Sequence, residues 1–282
     1  MSPARLSRGR LTAGTAPRSL RGAGAKVRKR RARPFRVDIA ERLARGEHLV
    51  LYGPLGSGKS TFLRTLHARL RREGRPSAIA DVTIRLGDMT QAFARAYPEV
   101  DIAGLTQRRT RARLAAAAEL RAGVLLFDHV HHLNTAMMGF LHGLRGGLAG
   151  IILAVDADGP RAREALRTCY PALSLVAMPR SSARQLRTYL HAARPTAASD
   201  LTPAQERQIL RAARGRPGWV RLCALLLQED RYWHDTMLYV TVLCTDTEIA
   251  LRLGRPPFLS SATQNLQSNS PLDRRTRGDA PV

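Results

Sequence analysis

The densest chemistry in this sequence lies in Gly53-Pro54-Leu55-Gly56-Ser57-Gly58-Lys59-Ser60-Thr61, which fits the spacing G-x-x-x-x-G-K-[ST]. A loop of this kind cradles phosphate when a strand runs into it and a helix leaves it. Glycines at Gly53, Gly56 and Gly58 let the backbone turn its N–H groups inward. The helix that follows adds the positive end of its dipole. Lys59 then reaches the β- and γ-phosphates of a nucleoside triphosphate, Ser60 offers its hydroxyl to Mg²⁺, and Thr61 supports the α-phosphate side. Such a site needs a second metal anchor on a neighbouring strand. Val124-Leu125-Leu126-Phe127 supplies it, ending in the carboxylate of Asp128.

The elements that must position these residues follow from the hydropathy pattern. Short apolar runs alternate with longer helical ones, the signature of an α/β fold with three layers and a mostly parallel sheet. Strands are expected at His48–Tyr52, Ala78–Val82, Val124–Phe127, Gly150–Val155 and Leu173–Ala177. Each is short and apolar, as suits a strand buried on both faces. Helices are expected near Lys59–Arg72, Arg85–Tyr97, Thr106–Arg121, Thr135–Leu144 and Arg161–Arg167. After Pro179 the pattern becomes helical, with Ser181–Ala192, Thr202–Arg214, Gly218–Gln228 and Asp235–Leu253. Thr202-Pro203-Ala204-Gln205 places a capping hydroxyl, a proline at the first helical position and a glutamine at the third, a strong helix start. The expected organisation is a basic arm at 1–34, an α/β core carrying the phosphate loop at 35–180, a small helical lid at 181–253 and a tail at 254–282.

The phosphate loop, Asp128 and the order of elements around them resemble the AAA+/STAND P-loop ATPases, in particular the compact branch of origin-recognition and transposition-helper ATPases. The resemblance spans Phe35 to Leu253 and implies ATP and Mg²⁺ as ligands. Ile151-Ile152-Leu153-Ala154-Val155-Asp156 is similar to the family's sensor-1 strand, with Asp156 the nearest fit and Asp158 beside it. Met178-Pro179-Arg180-Ser181 resembles the entry to the lid. Gly215-Arg216-Pro217-Gly218-Trp219-Val220-Arg221 is similar to the sensor-2 motif, which implies a phosphate-touching role for Arg221. The family's arginine finger falls where Arg167 stands. The departure is His129: brisk family members place a glutamate there to orient water. An imidazole in its place implies slow turnover, since a general base contributes typically about 10²- to 10⁴-fold. His131 and His132 add imidazoles nearby but fit no zinc-ligand spacing.

Charge is the other unusual property. The 282 residues hold 46 Lys and Arg against 22 Asp and Glu, a net +24. Only Lys26, Lys29 and Lys59 are lysines, an arginine skew that a G- and C-rich coding sequence also produces. Position argues beyond bias, because residues 1–36 contain ten arginines, two lysines and no acid. The segment is too poor in apolar residues to offset its ordering entropy, and it ends in the run Lys26-Val27-Arg28-Lys29-Arg30-Arg31. It reads as an arm for non-specific phosphate contacts with DNA; a transit peptide or an inert extension shares the composition. Apolar runs such as Ile151–Val155 fall far short of the ~18 residues a membrane span needs. Cys169, Cys223 and Cys244 lie too far apart for a zinc knuckle or disulfide framework, which suits a cytoplasmic setting. The expectation is a slow ATP-dependent switch, partnered by DNA, by copies of itself or by another protein. The alternative is a hydrolysis-deficient ATP-binding scaffold for protein partners.

Overall fold

A computed structural model describes residues 35–80, 86–130, 133, 135–144, 150–192, 201–235 and 237–253. The basic arm, the tail, His131 and His132 lie outside the described residues, as do 81–82 of the expected second strand and Arg85 of the helix after it.

Five parallel strands, β1 (Leu49–Gly53), β2 (Ser77–Ala80), β3 (Val124–Phe127), β4 (Gly150–Asp156) and β5 (Ser174–Ala177), form one sheet in the order β2-β3-β4-β1-β5. Successive side chains alternate between its faces. Leu49, Leu51, Val124, Leu126, Ile152 and Ala154 pack under α1 (Phe35–Ala44) and α2 (Lys59–Arg72), through Ile39, Leu43, Phe62 and Leu63. Val50, Leu125, Phe127, Ile151 and Leu153 face the opposite way. There they meet α3 (Leu86–Ala96), α4 (Gln107–Leu120), α5 (Thr135–Leu144) and α6 (Gly159–Cys169), through Phe93, Leu114, Met137 and Leu166. β1, β3 and β4, inside the sheet, are buried on both faces, which is why they read as unbroken apolar runs, whereas the edge strand β5 leaves Ala177 exposed.

The C-terminal part is helical: α7 (Ala183–Ala192), α8 (Pro203–Ala213), α9 (Pro217–Leu226) and α10 (Val240–Leu253) close a separate apolar cluster around Trp219, Leu190 and Leu243. The α8 start carries the expected capping box, with Thr202 accepting from the Gln205 N–H and Gln205 accepting from the Thr202 N–H.

Two features differ from the sequence expectation. Helix α1 had no assignment; Phe35, Ile39 and Leu43 recur at helical spacing, but arginines surround them. The last helix was expected from Asp235, yet it starts at Val240. Before it, β6 (Trp233–His234) and β7 (Met237–Leu238) pair antiparallel. The reason is local: Asp235 adopts φ +53°, a left-handed conformation that a helix does not accommodate.

Candidate functional site

Every residue singled out for chemistry on the sheet lies at the carboxyl ends of parallel strands, where open α/β folds bind their ligands. β1 delivers the phosphate loop, β3 delivers Asp128 and His129, and β4 ends at Asp156, which is in register with Gly53. The loop is pinned at its rear by the Ala157 N–H, which donates to Gly53 O at 3.1 Å. Gly56 and Gly58 take φ +75° and +97°, conformations that glycine reaches without penalty. α2 starts at Lys59 with no side-chain cap and no acid in its first turn. Its positive end is therefore left for an anion.

Lys59 is buried, and its ammonium donates to Gly53 O (2.8 Å), Pro54 O (3.0 Å) and Ser57 Oγ (3.3 Å). It also forms an ion pair of 2.7 Å with Asp156 Oδ1. A buried cation so fully paired is held in place without a phosphate present.

Asp128 is completely buried. Its Oδ1 accepts from the His129 N–H at 3.0 Å, whereas its Oδ2 has no hydrogen-bond partner; Asp156 Oδ2 is likewise without one. An unpaired buried carboxylate oxygen is costly unless a cation satisfies it. Ser60 and Asp128 therefore fit a hard divalent cation such as Mg²⁺, completed by phosphate oxygens and water. Among the described residues no group of three or more His, Cys, Asp or Glu is disposed to hold a metal unaided.

His129 is partly exposed, at 44% of its side chain. Its Nε2 lies 3.4 Å from Ser60 Oγ and 3.8 Å from Asp128 Oδ2, and its Nδ1 lies 4.0 Å from Asp156 Oδ2. The sequence-predicted residues Lys59, Ser60, Asp128, His129 and Asp156 thus share one small volume. Thr61 is exposed on the first turn of α2, where its carbonyl accepts from the Thr65 hydroxyl.

The helical part touches this loop directly. The Gly218 N–H, in the first turn of α9, donates to Gly56 O at 2.8 Å. A Cβ on Gly218 would stand 3.0 Å from both Cα and O of Gly56. Beside this contact a cleft of about 900 Å³ opens between the loop and the helices, lined in part by Leu55, Asp156, Arg180, Arg216, Trp219 and Glu248.

Arg216, which the sequence did not single out from the surrounding arginines, is buried here. It donates to Glu248 Oε2 at 2.8 Å and Oε1 at 3.3 Å and to the carbonyl of Ala213 at 3.0 Å, with its guanidinium carbon 5.8 Å from the Trp219 ring centroid. Trp219 Nε1 donates to the same carboxylate at 3.2 Å. These bonds, Arg216's foremost, hold the Glu248 carboxyl below the usual carboxylate range. Arg221 is exposed on α9 and does not line the cleft. Arg167 is also exposed, paired with Glu164 at 3.4 Å on α6 and away from the cleft.

Residues 42–158 match the family described as AAA domain. Among curated proteins the chain is 27% identical over 205 residues to GPN-loop GTPase 2 of Xenopus laevis, a match that takes in 72% of this chain and 49% of that one. The chain thus spans about half the length of that relative. Among solved structures it is similar to the Walker-type ATPase PABY2304 of Pyrococcus abyssi (16% identity, 84% of this chain and 75% of that one, TM-score 0.49). It is also similar to AMPPCP-bound DnaA from Aquifex aeolicus (15%, 85% and 89%, TM-score 0.37). The stretch similar to an AAA domain, residues 42–158, holds the phosphate loop, Asp128 and Asp156, and the fold around them is the α/β fold of P-loop NTPases.

Proposed function

We propose that the chain is a slow ATP-dependent switch in which filling of the phosphate loop is transmitted to the helical lid. The observation that carries this reading is the backbone bond from Gly218 to Gly56 O, which ties the loop to α9 with no intervening side chain. Phosphate oxygens entering the loop draw its N–H groups inward, and the peptide carrying Gly56 O moves with them. Lys59 exchanges part of its carbonyl and Asp156 shell for the β- and γ-phosphates. Ser60 and Asp128 hold the magnesium ion, which when bound neutralises phosphate charge. Asp156, released in part by Lys59, orients polar groups beside the terminal phosphate. His129 stands where a glutamate would align the attacking water, so turnover is slow and the ATP-bound form persists.

Arg167 and Arg221, exposed as they are, act in this reading only on a neighbouring copy or after the lid moves. Residues 1–34 supply sequence-independent contacts to DNA phosphates, and the closed lid presents a surface to a second copy or a protein partner. The test is ATP hydrolysis by the purified chain at fixed salt, with and without duplex DNA, beside Lys59→Ala, with GTP as the control base because the curated relative is named a GTPase. Slow ATP turnover that DNA stimulates and Lys59→Ala abolishes is expected. Tight ATP binding with no turnover under either condition would replace the switch with the scaffold reading.

A further inference from the structure

We infer that His129 is itself a ligand of the divalent cation at this site, and that the site therefore prefers a first-row transition ion of the Mn²⁺ class to Mg²⁺. The inference rests on the nucleotide-site reading above and adds the identity of one ligand and of the ion. Three donors face one another there: Ser60 Oγ, the unpaired Asp128 Oδ2, and His129 Nε2 at 3.4 Å and 3.8 Å from them. Two ligands at right angles around an ion with bonds of about 2.1 Å stand about 3 Å apart, so Nε2 is within a small turn of the imidazole of the spacing a shared ion would require from each of the two oxygens.

The backbone is shaped for this placement. His129 holds φ +51°, in the left-handed region that few non-glycine residues occupy and that histidine enters more readily than most. The same backbone donates its N–H to Asp128 Oδ1, which leaves Oδ2 turned toward the ring. On the far side of the imidazole, Nδ1 faces Asp156 Oδ2, whose other oxygen is engaged by Lys59. A histidine ligand characteristically directs its second ring nitrogen at a carboxylate, which fixes the tautomer with the other nitrogen's lone pair toward the metal. A structural histidine would be packed, yet this ring remains 44% exposed at the mouth of the site.

The ion follows from the donor set. Mg²⁺ takes oxygen ligands and gives up water reluctantly, whereas imidazole beside carboxylate and hydroxyl suits a transition ion that accepts both.

The test loads the full chain with Mn²⁺ and a non-hydrolysable ATP analogue and reads pulsed EPR. Nitrogen-14 modulation reports an imidazole on the ion, and phosphorus-31 coupling reports the nucleotide on the same ion. Both are expected in the wild type. In His129→Asn and His129→Gly, the substitutions that best tolerate the positive φ, the nitrogen signal disappears while the phosphorus signal stays. Displacement of half the Mn²⁺ then requires about tenfold less Mg²⁺, the scale on which a lost ligand or ligand support weakens a metal site. Phosphorus coupling without nitrogen modulation in the wild type, or Mg²⁺ competition unchanged in both variants, would overturn the proposal and leave the nucleotide site standing. Nitrogen modulation without phosphorus coupling would support the ligand and overturn the nucleotide reading. Absence of both would overturn the two together.

Discussion

At the scale of single residues the site is a balance between buried charge and the ligand that is to share it. Lys59 and Asp156 neutralise each other at 2.7 Å, and the second oxygens of Asp128 and Asp156 are left over. Lys59→Ala removes the only ammonium in the loop and leaves the largely buried Asp156 without its lysine counter-charge. It should abolish nucleotide binding measured by calorimetry and also lower thermal stability, since breaking a buried pair costs about 3–5 kcal/mol. Asp128→Asn keeps the shape but removes the negative charge at the orphan position, so it should weaken metal-dependent nucleotide binding while leaving the melting temperature equal or higher. A lower melting temperature would show that Asp128 serves the fold rather than the ion. These residues were legible in the sequence because a phosphate loop has fixed spacing and a strand-ending aspartate stands out against four apolar neighbours. Arg216 was not legible. Its partners Glu248 and Trp219 come from different helices, and nothing local separates it from Arg214 or Arg221.

At the scale of elements, the contact between the phosphate loop and α9 is made of backbone. Gly218→Ala places a methyl group 3.0 Å from two backbone atoms of Gly56, neither of which can swing aside as a side chain would. The variant should lose about 1–3 kcal/mol of stability and bind ATP more weakly, readable by denaturant titration and by nucleotide-dependent melting shifts. Inside the helical part, the Arg216–Glu248–Trp219 cluster links α9 to α10. Glu248 is held below its ordinary value of 4.5, so its contribution is fully present above that pH and is lost as pH falls through the depressed value. Acid unfolding followed by tryptophan fluorescence should accordingly shift in Glu248→Gln, which is less stable at neutral pH but less sensitive to acid.

The inner strands were legible as elements because burial on both faces makes each a bounded apolar run; β1 is displaced by a single residue from its expected position. Helix α1 and the β6–β7 hairpin were not. The first owes its helicity to the sheet face that covers Ile39 and Leu43, and the second to a left-handed Asp235, a backbone state that the residue type permits without announcing.

At the scale of the whole molecule, the described residues between Phe35 and Leu253 belong to one unit in which a sheet-based core and a helical part meet at the phosphate loop. Nearly half of the positive surplus lies outside it, in residues 1–34, which hold nine arginines, two lysines and no acid. Removing residues 1–34 should lower DNA affinity and flatten its dependence on salt, each lost phosphate contact reducing the logarithmic slope by about 0.9. Unchanged affinity would move DNA binding to the core or dismiss it. ATP hydrolysis should survive the truncation, because the loop, Asp128 and the lid all lie beyond it.

In the proposed switch, the histidine after Asp128 is what keeps the nucleotide site slow. Steady-state ATP hydrolysis by His129→Glu beside the wild type tests it most directly. A rise of about 10²-fold or more is expected, with nucleotide affinity kept within a few fold, the contribution of a restored water-orienting base. A variant that still binds ATP yet turns over no faster than the wild type would contradict it.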